Sequence, residues 1–218
     1  MKKVINIKIA SDVVCPWCLV GKKELELAMQ ELQNDFHFEV QYLPFELDPN
    51  LPESGVDFKP YITNKFGDYD RFMQNTNMLV ERGKSIGLNF NFSAIRRSPN
   101  TFNLHRIIQF AHQFGIQAQV KEAYMKAYFE QGIDLSLEKN AVEVAVKAGL
   151  DEELVLKLLN ADEGKKEVEM VQESVRSMGI TGVPFFIINE QYGLSGALPA
   201  KQFVEAFKDL DAKEMQQV

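Results

Sequence analysis

The sequence predicts a mixed α/β fold in the order β-α-β, helical insert, α-β-β-α. Three observations carry that expectation. Short apolar runs with strand character lie near both ends of the chain. A Cys-x-x-Cys opens the first amphipathic stretch. The long middle reads as helix after helix.

In Val4 to Ala10, Ile5, Ile7 and Ile9 alternate with Asn6 and Lys8, which predicts a short, largely buried strand. Ser11-Asp12-Val13-Val14 then leads into Cys15-Pro16-Trp17-Cys18. Proline suits a first helical position, where its missing N–H would be unpaired anyway. Cys18, Gly21, Leu25, Ala28 and Leu32 recur at three and four, so an amphipathic helix is expected to run to about Asn34. Phe36, Phe38, Val40 and Tyr42 alternate with polar residues and form a second strand. Leu43 to Asp57, with three prolines and Gly55, reads as a loop.

Helices are then expected over Asp68–Gly87, from a Ser98-Pro99 start to Gly115, and around Val120 to Tyr128 with a stop at Gly132. Ser136–Ala148, Asp151–Asn160 and Gly164–Met178 follow, the last closed by Gly179. Phe102, Phe110 and Phe114 are assigned to the core. Val183 to Ile188 is a strand run, Asn189–Gln191 a tight turn, and Tyr192–Ser195 an antiparallel return. A final helix starts at Pro199 or Ala200, and the tail from Asp211 is expected to fray.

The composition narrows the function. The chain has 218 residues, 45% hydrophobic and 25% charged, which fits one folded domain with a large insertion and excludes disorder. Its net charge of −7 makes nucleic acid and anionic membranes poor partners. The longest apolar run, Val13 to Val20, is interrupted by Pro16 and is far short of a membrane span. Lys2-Lys3 precedes an apolar stretch broken by Asn6 and Lys8, unlike the clean core of a secretory leader, so a cytosolic protein is expected.

Cys15 and Cys18 are the only cysteines. Cys15 falls at a helix N-terminus, where unpaired N–H groups and the helix dipole favour an anion, so a lowered pKa is expected there. Cys18 lies on the apolar stripe and is expected to be more buried and less acidic. The Cys15 thiolate then attacks a disulfide, and Cys18 resolves the mixed disulfide. A structural disulfide over so short a loop would contribute little stability. A zinc site needs two more ligands, and besides carboxylates only His37, His105 and His112 are available, so no metal is expected. Asp12 reads equally as a carboxylate serving Cys18 and as a turn or cap residue. Trp17 is either a substrate contact or a shield for the pair.

Several strings together resemble the DsbA-like branch of the thioredoxin-fold family, and within it the FrnE-type cytosolic members. They are Ser11 to Cys18 with Gly21-Lys22, Pro44-Phe45-Glu46-Leu47-Asp48-Pro49, Asn100-Thr101 with His105, and Gly182-Val183-Pro184-Phe185-Phe186. The resemblance implies a thioredoxin-like domain from residues 1–57 and 179–212, with residues 58–178 as a helical insertion. It implies a cis Val183–Pro184 bond beside the cysteines, and a substrate groove lined by Val183, Pro184, Phe45 and His105. Read from its residue alone, His105 is a hydrogen-bonded helix position.

The function expected is dithiol–disulfide oxidoreduction, as oxidase, reductase or isomerase, on a protein or small-molecule thiol or disulfide, with no cofactor beyond the redox-active pair. The alternative is a glutathione-using isomerase or transferase of the hydroxychromene-carboxylate isomerase or kappa type, with glutathione as co-substrate. A third reading is a non-enzymatic module that holds a client on its helical insert.

Overall fold

The computed structural model describes residues 2–215, and side-chain burial through residue 210. A four-stranded sheet has the order β2-β1-β5-β6. Strand β1 (Lys3–Ser11) runs parallel to β2 (Phe36–Pro44), from Lys3 opposite Phe36 to Ser11 opposite Pro44. It runs antiparallel to β5 (Phe185–Ile188), with Ile7 opposite Ile188 and Ala10 opposite Phe185. Strand β6 (Tyr192–Ser195) returns from β5 through the three-residue turn 189–191, in which the Gln191 N–H donates to the Ile188 carbonyl (3.0 Å) and Asn189 and Glu190 both take positive φ (49° and 58°).

The alternation in β1 sorts its side chains. Ile5, Ile7 and Ile9 are buried in a cluster with Leu25 and Ala28 of α1 (Pro16–Glu31) and Phe203 and Phe207 of α9 (Ala200–Met215). Each fully buried Ile, Leu or Phe among them contributes about 1.5–3 kcal/mol. Ala10 takes part in a second cluster with Phe45, Ile180 and Val175 of α8 (Lys165–Ser177).

Between the halves lie α2 (Phe58–Phe66), α3 (Tyr69–Ser85), a single 3-10 turn (Phe92–Ala94), α4 (Phe102–His112), α5 (Gln117–Phe129), α6 (Glu138–Lys147) and α7 (Glu152–Asn160). Their core reaches back to Val13, Cys15, Cys18, Leu19 and Val20, so the Cys-x-x-Cys turn sits on the seam between helices and sheet. The exposed edge of β2 is closed by α5. The Gln117 side chain accepts from Tyr42 N (2.8 Å) and donates to Tyr42 O (3.0 Å), satisfying a strand edge that would otherwise be open for pairing.

Several expectations need correction. Ser98-Pro99 does not open a helix. Ser98 pairs with Val56 in a short antiparallel ladder of β3 (Val56–Asp57) and β4 (Arg97–Ser98), and α4 starts at Phe102, whose N–H donates to the Asn100 side chain. Helix α2 lies inside the expected helical insertion, ahead of the first helix assigned there; its Pro60 lies in the first turn, where no intrahelical N–H bond is lost. Helix α1 stops at Glu31, about a turn's length short of Asn34. Phe114 is about half exposed, packed edge-on against Phe110 (ring centroids 5.2 Å apart) instead of buried. Strand β5 begins at Phe185, leaving Val183 and Pro184 in the preceding loop. Helix α9 continues through Met215, past the expected fraying point; residues 216–218 lie outside the described residues.

Candidate active site

Cys15 is the N-cap of α1, in extended conformation (φ −96°, ψ 107°), and Pro16 begins the helix. The Cys18 N–H donates to the Cys15 carbonyl (3.0 Å), which folds the two cysteines onto one turn. Both are free thiols, and both are buried. The antiparallel register of β5 carries Val183 and Pro184 alongside this turn, and the Val183–Pro184 peptide is cis. The Cys15 thiol donates to the Val183 carbonyl (3.5 Å). Gly21 makes this closeness possible. A Cβ there would lie 3.1 Å from Pro184 Cγ and 3.2 Å from Phe186 Cζ.

A cavity of about 490 Å³ opens in front of Cys15. Its walls include Pro16, Trp17 and Val183 on the cysteine side, and Cys15, unlike Cys18, lines it. Trp17 is 41% exposed at the cavity, with the Arg82 guanidinium 5.7 Å above its ring. Phe45 and His105 do not line the cavity. Phe45 is buried against Ala10 and Ile180, under the Arg176 guanidinium (5.5 Å). His105 lies fully beneath the site, its Nε2 3.2 Å from Asp12 Oδ1. Pro184 packs beside Gly21 and is also outside the lining.

Asp12 does not cap α1, whose N-cap has no side-chain hydrogen bond. Its carboxylate accepts from Val13 N (2.7 Å) and Leu47 N (2.8 Å) and meets His105. Burial opposes its charge, but the hydrogen bond and charge of His105 and the Leu47 N–H outweigh it and hold the carboxyl below the usual range. An ionised carboxylate only accepts, so His105 Nε2 carries the hydrogen.

The acidities of the two cysteines run opposite to what position alone predicts. A hydrogen bond shared with Cys18, then burial, push the Cys15 thiol well above its ordinary value. Burial also opposes ionisation of Cys18, yet the hydrogen bond from Cys15, the Lys121 ammonium and the Ser11 hydroxyl draw it down. Helix-terminal position predicts only the contribution of α1 itself. The hydrogen bond from Cys15 favours the Cys18 thiolate most, and Lys121 of α5 and Ser11 of β1, which the chain folds in behind Cys18, add to it.

Lys121 and Ser11 are the functional candidates that sequence reasoning missed. Lys121 is buried, 5.4 Å above the ring of Tyr42. The signal was present: Gln117, Lys121, Tyr124 and Tyr128 recur at four, three and four on the buried face of α5. Ser11 Oγ is buried and has no hydrogen-bond partner among the described residues. Among the described residues no cluster of His, Cys, Asp or Glu could hold a metal ion.

The sequence profile of the DSBA-like thioredoxin domain matches residues 6–208. The chain belongs to the DSBA-like thioredoxin family. A solved structure described as the probable DsbA oxidoreductase SCO1869 from Streptomyces coelicolor superposes with a TM-score of 0.87 at 30% identity, over 94% of this chain and 89% of that one. The uncharacterized protein YwbO of Bacillus subtilis (strain 168) is 24% identical over 96% of this chain and 99% of its own length. The cytosolic disulfide reductase DsbM from Pseudomonas aeruginosa, solved with GSH, shares the fold at a TM-score of 0.62 and 12% identity, over 97% of this chain and 98% of that one. The DSBA-like family is one of thiol–disulfide oxidoreductases, and among the described residues no helix is long and apolar enough to cross a membrane.

Proposed function

We propose that this DSBA-like chain is a dithiol–disulfide oxidoreductase in which Cys15 attacks and Cys18 resolves. The observation that carries this reading is access: Cys15 lines the cavity, and Cys18 lies behind it. The pair loses its first proton as a unit, because the sulfurs share a hydrogen bond and Lys121 and Ser11 favour one negative charge. Shifting the shared hydrogen toward Cys18 puts that charge on Cys15, facing the substrate. Cys15 attacks one substrate sulfur and the other leaves as a thiolate. Cys18 then attacks Cys15, and the Cys15–Cys18 disulfide forms as the second thiolate departs. Run backward, the same steps oxidise a substrate dithiol. Charge stabilisation at Cys18 favours the reduced pair and so makes the disulfide the better oxidant. A cytosolic location belongs to the same proposal, supported by the fold shared with a reductase described as cytosolic.

Insulin disulfide reduction tests the roles. Wild-type turnover is expected to vanish in Cys15→Ser, and Cys18→Ser is expected to accumulate a mixed disulfide through Cys15. Turnover that survives Cys15→Ser contradicts the reading. Isomerase activity with glutathione that persists in Cys18→Ala supports the alternative in which only one thiol is needed.

A further inference from the structure

The cavity before Cys15 is built of rings and branched aliphatics. Phe58 and Ile62 come from α2, Phe72 from α3, Phe92 from the 3-10 turn and Phe129 from the end of α5, with Trp17 beside the cysteine. Its volume of about 490 Å³ falls in the roughly 300–1,000 Å³ range of small-molecule sites. Its lining holds two acids, Asp12 and Asp48, and one cation, Lys65. That cation is already engaged: Lys65 Nζ is 3.7 Å from Asp48 Oδ2 and donates to Tyr61 Oη (2.6 Å). An anionic occupant would meet ionised Asp12 and no uncommitted lining cation, and burying such a charge without a partner is costly.

We propose that this cavity receives the apolar, aromatic half of an uncharged low-molecular-weight disulfide and presents its sulfur to Cys15, in preference to glutathione disulfide or a polypeptide disulfide. The proposal rests on the dithiol-exchange reading above. In the step it concerns, the Cys15 thiolate bonds to one substrate sulfur and the substrate S–S bond breaks, releasing the first thiolate, which takes a proton from water. Cys18 then closes the intramolecular disulfide as the Cys15–substrate S–S bond breaks, and the proton Cys18 gives up passes to the departing aromatic thiolate. The protein dithiol loses two electrons and the substrate gains them.

The test follows oxidation of the pre-reduced protein by the fluorescence of Trp17, using benzyl 2-hydroxyethyl disulfide, bis(2-hydroxyethyl) disulfide, glutathione disulfide and insulin. Each second-order rate constant is divided by that of free dithiothreitol with the same disulfide, which removes intrinsic reactivity. Burial of one phenyl group predicts a normalised constant for the benzyl compound about tenfold or more above that for bis(2-hydroxyethyl) disulfide, and above those for glutathione disulfide and insulin. Leu51→Phe, which fills the cavity without adding a second tryptophan, and Phe72→Ala, which removes a wall, should each reduce the benzyl-to-hydroxyethyl ratio several-fold. Equal constants for these two compounds, a higher constant for glutathione disulfide or insulin, or a ratio unchanged in both variants overturns the proposal. No oxidation by any of the four disulfides overturns the dithiol-exchange reading with it.

Discussion

His105 Nε2 lies 3.2 Å from Asp12 Oδ1, and both side chains are buried. This contact joins α4 to the turn between β1 and the cysteines. The other carboxylate oxygen holds the Leu47 N–H, so one aspartate ties three chain segments beneath the site. Asp12→Ala leaves His105 and two amides without their acceptor, and each buried donor left unpaired costs about 1–3 kcal/mol. Urea unfolding of the variant should show that loss, with Asp12→Asn closer to wild type. A midpoint unchanged in Asp12→Ala would contradict the anchoring role.

Acid stability should depend on Glu122. Burial opposes its charge, but Lys126 and Lys22, each 2.6 Å away, hold its carboxyl down to about 2. Its folded pKa lies below its unfolded value, so its contribution is fully present above the ordinary carboxylate range. It is lost as pH falls from there toward about 2. Glu122→Gln should therefore flatten the acid limb of stability against pH, measured by denaturant midpoints. A limb as steep as wild type would show that the charge is not coupled to folding.

Lys121 should set the redox poise of the pair. Lys121→Met keeps the volume and removes the cation behind Cys18, so the first thiol ionisation should move up and the reduction potential down. The shift is about 30 mV for each tenfold change in thiolate stability. Burial already disfavours the Lys121 charge, and an apolar side chain of the same volume avoids that desolvation cost, so thermal stability should not fall in parallel. An unchanged potential against a glutathione buffer would show that Lys121 serves packing alone.

Gly21→Ala opposes two effects of similar size. Alanine gains about 1 kcal/mol of helix propensity over glycine. Its Cβ, however, presses on Pro184 Cγ at 3.1 Å, Phe186 Cζ at 3.2 Å and the Ala197 backbone at 3.4 Å. Overpacking of a tight contact costs about 1–3 kcal/mol. The net should be a loss near 1 kcal/mol, with slower disulfide exchange as the Val183–Pro184 segment moves away from Cys15. Thermal unfolding and insulin turnover measured on one preparation check both; a stabilised, fully active variant would contradict the close approach.

Much of the architecture was legible because its signals are local. Ile5, Ile7 and Ile9 announce β1, and Cys18, Leu25 and Ala28 announce the buried face of α1. What stayed hidden was set by distant partners. Ser98-Pro99 has the letters of a helix start, but Val56 claims Ser98 for a ladder. Phe45 and His105 were assigned to a groove by resemblance, whereas the fold turns one into a side cluster and the other under the floor. The acidity of the cysteines depends on Ser11 and Lys121, and no spacing in the sequence connects Lys121 to Cys18. The packing of α5 against α1 and β2 brings them together.

The most direct measurement is which sulfur reacts first. The reduced protein is exposed to substoichiometric iodoacetamide across a pH series, and the adduct is mapped by peptide mass spectrometry. Cys15 should carry the label throughout, because it faces the cavity, with a rate that rises as the pair loses its first proton. Label arriving first on Cys18 would show that the buried sulfur is the nucleophile, and the assignment of attacker and resolver would be reversed.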